Sequence, residues 1–352
     1  MNSIPLVEHI GKLLMEGAFQ MEINKLTPAE ISSLWNSYIT NTMAFWVSKY
    51  FVAKTQDKEL QVILQYAVEM AEIEFEKSKD FLVGANYPLP QKFDEQDVDL
   101  NAPAICTDNF TLIIKYSLVQ SAQIVYGLSL STSTRKDIRV FYQECLNNSA
   151  ELYNRLTDLL ITRGLHHPEI HIPTPTHVEK VSKQSYLAGW FADRRLINSQ
   201  EIAQLAYNFK SIEMHKTFSK VMSQITPSKE VKNHFLRGIA MYQKHLDIFQ
   251  SILTANDLPK IPTWESELTD TTVSPFSDRL MMFKMTMLTA AASGRYGLAL
   301  SSVQRKDLGT HFMRLMAETL QYGEDSVNQM IERGFMDQLP MAKEHPAVPS
   351  SV

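Results

Sequence analysis

The stretch YGLSLSTSTRKD, residues 126–137, returns as YGLALSSVQRKD at residues 296–307, and eight of the twelve positions are identical. The match extends further, because Arg163-Gly164 returns as Arg333-Gly334 at the same separation of 170 residues. This separation is too long for the period of a solenoid repeat and is about the size of one domain. The sequence therefore predicts an internal duplication of a whole domain.

The composition is that of a globular protein with room for two cores. The chain has 352 residues, of which 44% are hydrophobic and 21% are charged, and its formal net charge is −5. No long block of Lys and Arg occurs, so we expect no nucleic-acid partner. The longest apolar stretch, residues 110–130, is interrupted by Lys115, so we expect an amphipathic helix there and no membrane span.

Cysteine usage and the N-terminal sequence indicate the compartment. Cys106 and Cys145 have no counterpart in the second copy, where Phe276 and Leu315 stand instead. We therefore expect free thiols in a reducing, cytoplasmic compartment rather than a framework disulfide, with a reactive thiol as the alternative interpretation. The N-terminus lacks a basic region followed by an apolar run, so we expect no signal peptide.

Each copy contains four segments whose apolar residues recur with helical periodicity. Thr107 and Ser277 are expected to cap the third helix of their copies, and Gly164 and Gly334 to follow the fourth in the left-handed conformation. The predicted fold class is all-α, with two ferritin-like four-helix bundles in tandem. The predicted helices are 28–54, 57–84, 108–131 and 134–163 in the first copy, and 199–224, 228–255, 278–301 and 304–333 in the second.

The lengths of the connections predict the wiring of each bundle. Two or three residues join the first helix to the second and the third to the fourth, so each pair is antiparallel. Residues 85–107 separate the two pairs and are long enough to run along a bundle; one long crossover is typical of ferritin-like folds. A disordered insertion is the alternative. The resulting units are an N-terminal arm 1–25, a first bundle 26–165, a Pro-rich linker and second arm 166–196, a second bundle 197–340 and a tail 341–352.

Several of the repeated motifs carry a resemblance to a known family. The repeated YG-x-x-L-S…RKD motif, PFSD at 275–278, LAGWF at 187–191 and ERGF at 332–335 resemble an uncharacterised family found mainly in bacilli and related spore-formers. Its members carry two ferritin-like bundles in tandem and are distantly similar to spore coat F-type proteins. The resemblance implies this fold and a lineage, and it brings no catalytic residues with it. A spore-associated setting is a further hypothesis.

Residues that could bind a metal do not follow the pattern of a di-iron or di-manganese bundle. Such a site needs Glu-x-x-His on two helices, and neither copy contains that motif in its helices. A degenerate site for Fe, Mn or Zn remains a hypothesis, with His215, His234, His245 and Glu74 as its ligands; Glu74 is the counterpart of His245. The alternative is that each histidine is a hydrogen-bonded residue at the edge of an apolar stripe.

The repeated Arg-Lys-Asp motif marks the start of each fourth helix. Arg135 and Arg305 are candidate anion-binding residues, because a helix N-terminus favours negative charge. The alternative is an ion pair from each arginine to Asp108 or Asp278 across the end of the bundle.

The sequence does not specify an activity. It contains no Gly-rich phosphate loop, no GxSxG elbow, no CxxC pair and no HExxH stretch. We therefore predict a non-enzymatic structural or interaction protein without a cofactor, with protein partners or self-association. Metal or small-ligand binding by a degenerate site is the alternative. A third hypothesis is an apolar ligand in the second bundle, where eight of the seventeen methionines fall between Met281 and Met336.

Overall fold

The computed structural model describes residues 25–166, 170–189 and 194–342. Within these ranges the fold is all-α and has no strand, which confirms the predicted class. Most of the predicted N-terminal arm and tail lies outside the described residues, and so does the end of the LAGWF motif. The long helices are α1 Pro28–Lys54, α2 Lys58–Gly84, α3 Asp108–Thr132 and α4 Lys136–Thr162 in the first copy, and α5 Ser199–Ile225, α6 Lys229–Thr254, α7 Asp278–Ser302 and α8 Lys306–Glu332 in the second.

Local chemistry explains where these helices begin and end. The side chains of Thr107 and Ser277 accept hydrogen bonds from backbone N–H groups in the first turns of α3 and α7, as predicted. Gly164 and Gly334 follow α4 and α8 with φ of 63° and 66°, a conformation that costs other L-residues more. No helix in the described part of the chain is both long and apolar enough to cross a bilayer.

Each bundle consists of two antiparallel hairpins joined by one long crossover. In the first copy α1 packs on α2 and α3 on α4, and the hairpins meet through α1 with α3 and α2 with α4. The second copy repeats this arrangement with α5 to α8. The crossovers, 85–107 and 255–277, are ordered chain, so the alternative of a disordered insertion is wrong.

The two crossovers pair with each other and join the bundles. The N–H of Asp99 donates to the carbonyl of Pro275 at 2.8 Å, and the N–H of Thr269 donates to the carbonyl of Ile105 at 3.2 Å. The two hydrogen bonds are equivalent, because Thr269 lies 170 residues after Asp99 and Ile105 lies 170 residues before Pro275. The bundles are therefore related by a pseudo-two-fold axis. The copies therefore meet as the subunits of a symmetric dimer do.

The hydrophobic core differs from the expectation of one core in each bundle. Most buried apolar residues of both bundles belong to one continuous cluster. A smaller cluster lies at the end of the first bundle where α1 and α4 begin. The aromatic contacts between Tyr50 and Phe276, with ring centroids 5.2 Å apart, and between Phe93 and Phe283, also 5.2 Å apart, cross the junction. The core is continuous because the paired crossovers carry apolar side chains from each copy into the other.

Candidate functional site

His245 is buried inside the second bundle and lies within hydrogen-bond distance of one side chain on each of two other helices. Its Nε2 is 3.2 Å from Oε2 of Glu318 on α8, and its Nδ1 is 2.9 Å from the hydroxyl of Tyr296 on α7. Burial lowers the pKa of His245 to about 4, although Glu318 acts in the opposite direction. In the neutral ring Nε2 donates to the carboxylate and Nδ1 accepts from the tyrosine, so both nitrogens have partners within the chain.

Glu74 occupies the equivalent place in the first bundle. Its Oε2 accepts a hydrogen bond from the hydroxyl of Tyr126, which is the counterpart of Tyr296, and Asn41 Nδ2 is 3.3 Å from the same hydroxyl. Burial raises the pKa of Glu74 to about 7, although the hydrogen bond from Tyr126 opposes the shift. Oε1 of Glu74 is buried and has no hydrogen-bond partner among the described residues. The pair of a titratable side chain and a tyrosine is therefore common to both bundles.

The other two histidines predicted as metal ligands, His215 and His234, lie in separate environments. His234 on α6 has Ser326 Oγ 2.8 Å from its Nε2, and its ring stacks on Tyr322 with centroids 4.4 Å apart. Burial lowers the pKa of His234 to about 4. His215 on α5 instead has Arg295 Nη2 3.3 Å from its Nε2.

The four predicted metal ligands are thus not brought to one place. Glu74 lies in the first bundle and the three histidines lie in the second, each with its own hydrogen-bond partners. Within residues 25–166, 170–189 and 194–342, no group of three or more His, Cys, Asp or Glu side chains has the arrangement of a metal site. Fe, Mn or Zn binding therefore stays a prediction.

Arg135 and Arg305 pair with the aspartate two residues later. Arg305 Nη2 is 2.6 Å from Asp307 Oδ2, and its Nη1 donates to the carbonyl of Arg195 at 2.9 Å. Arg135 Nη2 is likewise 2.6 Å from Oδ2 of Asp137. The predicted alternative, an ion pair from Arg135 to Asp108, is wrong, because the 25 residues of α3 place about 37 Å between them. Anion binding at these arginines stays a prediction.

Asp108 and Asp278 form their hydrogen bonds at the other end of each bundle, away from the two arginines. Oδ2 of Asp108 accepts from the N–H groups of Gln56 and Asp57, in the turn between α1 and α2. Oδ1 of Asp278 accepts from the hydroxyl of Thr226, after α5. The predicted pairing of Arg305 with Asp278 is wrong for the same reason as in the first copy, since α7 separates them.

Glu30 and Glu201 organise the bundle ends, and the sequence reasoning assigned them no role. Each completes the capping box of its own helix, and each also accepts from two N–H groups at the start of the fourth helix. Burial raises the pKa of Glu201, but Arg195 and the N–H donors outweigh burial and hold it at about 2. The recurrence of Glu-Ile at 30–31 and 201–202 was the signal available in the sequence.

Comparisons with known proteins give a family and a distant structural likeness. The family model described as "Protein of unknown function (DUF3231)" matches the chain twice, over residues 17–178 and 185–348. This double match confirms the duplication and the resemblance to an uncharacterised tandem family. No curated protein matches the chain. A solved structure described as a "putative spore coat protein" of Bacillus halodurans is 17% identical, covers 44% of this chain and 97% of its own, and has a TM-score of 0.36. A likeness at that score supports no functional conclusion.

Proposed function

The chain belongs to the DUF3231 family, and we propose that it is a non-enzymatic structural or interaction protein built as one rigid body from two bundles. The observation that carries this proposal is the reciprocal pairing of the crossovers. The N–H of Ser277 donates to the carbonyl of Asp97, and the N–H of Thr107 donates to the carbonyl of Glu267, both at 2.9 Å. Each bundle thereby supplies a hydrogen-bond acceptor for the N-cap residue of one helix in the other bundle.

The interior chemistry supports the same proposal. His245 and His234 direct both ring nitrogens at side chains of their own bundle. Burial favours their neutral forms near pH 7, which suits a hydrogen-bonding role in a packed core. Several motifs resemble a family found in spore-forming bacteria, and this resemblance supports a spore-associated setting as part of the proposal.

The experiment combines metal analysis with hydrodynamics. The full chain is expressed with added Fe, Mn and Zn, and metal content is measured beside the variants His245→Phe and, as an exposed control, His177→Phe. We expect no stoichiometric metal and no shift of Tm on adding these metals. Sedimentation velocity then measures self-association over a range of concentrations. Stoichiometric metal that is lost in His245→Phe and kept in the control would overturn the proposal.

One observation favours the alternative of a ligand-binding bundle. Oε1 of Glu74 is buried and has no hydrogen-bond partner within the ranges that the structure describes, and the buried thiol of Cys145 lies beside this carboxylate. A divalent metal bound there would need both groups deprotonated. Metal retained by the wild type and lost in both Glu74→Gln and Cys145→Leu would support this alternative; the leucine is the residue that the second copy carries.

A further inference from the structure

A group of basic side chains lies where the two bundles meet. Arg295 on α7 donates from Nη1 to Ser121 Oγ on α3, across the junction, at 3.3 Å. Lys284 on the same helix is close enough to Lys115 on α3 for the two charges to interact. With His215 on α5, which faces Arg295, these residues form what we call the inter-bundle cation group: Lys115, His215, Lys284 and Arg295.

The fold itself does not require these basic residues. The duplication provides the comparison, because each position has a counterpart in the other copy, and every counterpart is apolar. Since an apolar side chain serves the same position in the same fold, helix formation and packing do not explain the cation group. The counterparts are Met285 for Lys115, Ala44 for His215, Ile114 for Lys284 and Val125 for Arg295.

Three of the four side chains in the cation group are buried, and none of the four has a negative partner among the residues that the structure describes. Arg295 and Lys115 are only 3% and 8% exposed, and Lys284 is half-buried. Lys115 donates to Ser48 Oγ, and Lys284 makes no hydrogen bond or ion pair with any residue that the structure describes. Burial lowers the pKa of Lys115 to about 8, and burial together with Lys115 lowers the pKa of Lys284 to about 7. Buried charges without a partner destabilise the protein, so the group favours an added anion.

Two buried nitrogen atoms of this group indicate which kind of ligand it would bind. Arg295 Nη2 can only donate, so His215 Nε2 accepts, and the neutral ring carries its proton on Nδ1. Nδ1 of His215 and Nε of Arg295 are both buried and have no hydrogen-bond partner in the described part of the chain. Both are N–H donors. A molecule that satisfies them must supply acceptor oxygens, as an anion does.

We propose that the inter-bundle cation group binds the phosphate group of a small molecule, with Arg295 and His215 donating to its oxygens and Lys115 and Lys284 adding positive charge beside them. A phosphate carries close to two negative charges and three or more acceptor oxygens, which match two lysines, one guanidinium and one imidazole N–H. Lys284 is half-buried, so solvent reaches this side of the group. The site is distinct from the crossover contacts on which the proposed function rests.

The test measures phosphate binding to the full chain by calorimetry, in phosphate-free buffer near pH 7 with ionic strength held constant by NaCl. The variants Lys284→Ile and Arg295→Val install the residues of the other copy, and the exposed Lys232→Met is the control. We expect inorganic phosphate to bind the wild type and the control, and to bind the two variants at least about tenfold more weakly. Lys284→Arg, which keeps the charge, should retain binding.

Thermal unfolding provides a second readout that a packing defect would not imitate. Without phosphate, Lys284→Ile should raise Tm because it removes an uncompensated buried charge; with phosphate, Tm should rise in the wild type and stay constant in the variant. A phosphorylated sugar and vesicles containing phosphatidic acid distinguish a small molecule from a lipid headgroup. Binding only to the vesicles would overturn the small-molecule assignment. Equal phosphate affinity in the wild type and both variants, or no binding of any probe at millimolar concentration, would overturn the site.

Discussion

Replacing Glu74 by glutamine should stabilise the protein at neutral and alkaline pH. The carboxyl group is 2% exposed, and burial raises its pKa from the ordinary 4.5 to about 7. At 1.36 kcal/mol for each pKa unit, the shift corresponds to about 3 kcal/mol of unfolding free energy. Glutamine keeps an acceptor for the hydroxyl of Tyr126 and carries no charge that must be buried.

The sign of the effect follows from proton linkage. A carboxyl group whose pKa is higher in the folded state stabilises the fold fully below pH 4.5, and this stabilisation is lost as the pH rises to about 7. The stability gained by Glu74→Gln over the wild type should therefore be small at pH 4.5, grow up to about pH 7 and then level off near 3 kcal/mol.

Urea unfolding at a series of pH values measures this difference, with the exposed Glu72→Gln on the same helix as the matched control. The control should show no comparable dependence on pH. A Glu74→Gln variant whose stability relative to the wild type is independent of pH, or which is less stable at pH 8, would refute the reasoning.

Four further substitutions test the fold. Gly238→Ala should lower the free energy of unfolding by about 1–3 kcal/mol, because the added Cβ would clash with the hydroxyl of Tyr322. Gly127→Ala should raise it by about 0.5–1 kcal/mol, because no described atom lies close to the added Cβ. Thermal unfolding compares the two variants. Glu201→Gln should destabilise the chain at pH 7 and much less near pH 2. Because the pKa of Glu201 is lowered, its carboxylate stabilises the fold above pH 4.5, and this stabilisation is lost as the pH falls to about 2. Acid titration followed by circular dichroism measures the difference. Asp97→Ala removes the side-chain acceptor at the start of α7 and should increase hydrogen exchange at the paired crossovers, while unchanged exchange there would argue against their role in joining the bundles.

The helices could be predicted from the sequence because their signals are local. Apolar periodicity, an N-cap such as Thr107 and a C′ glycine such as Gly164 act within a few residues, so the predicted boundaries of α1 to α8 lie within two residues of the observed ones. Connection length fixed the wiring for a similar reason, since a two-residue link leaves only an antiparallel arrangement.

The site was predictable only in part. Comparison of the copies identified Glu74 and His245 as equivalent, and the structure gives each the equivalent tyrosine as partner. The pairing of His245 with Glu318 depends on how α6 and α8 rotate about their axes. That rotation is decided by the packing of whole helices, and no local pattern records it.

The sequence by itself determined that the chain is a duplication, that each copy is four helices with one long crossover, and where those helices begin and end. The tertiary structure alone decided that the crossovers pair across a pseudo-two-fold axis, that the two cores merge, and that four basic residues unique to their copies meet at the junction. The physical reason is range. Caps, turns and periodicity act between neighbours in the chain, whereas the junction depends on contacts between residues about 170 positions apart, and apolar periodicity does not encode their register.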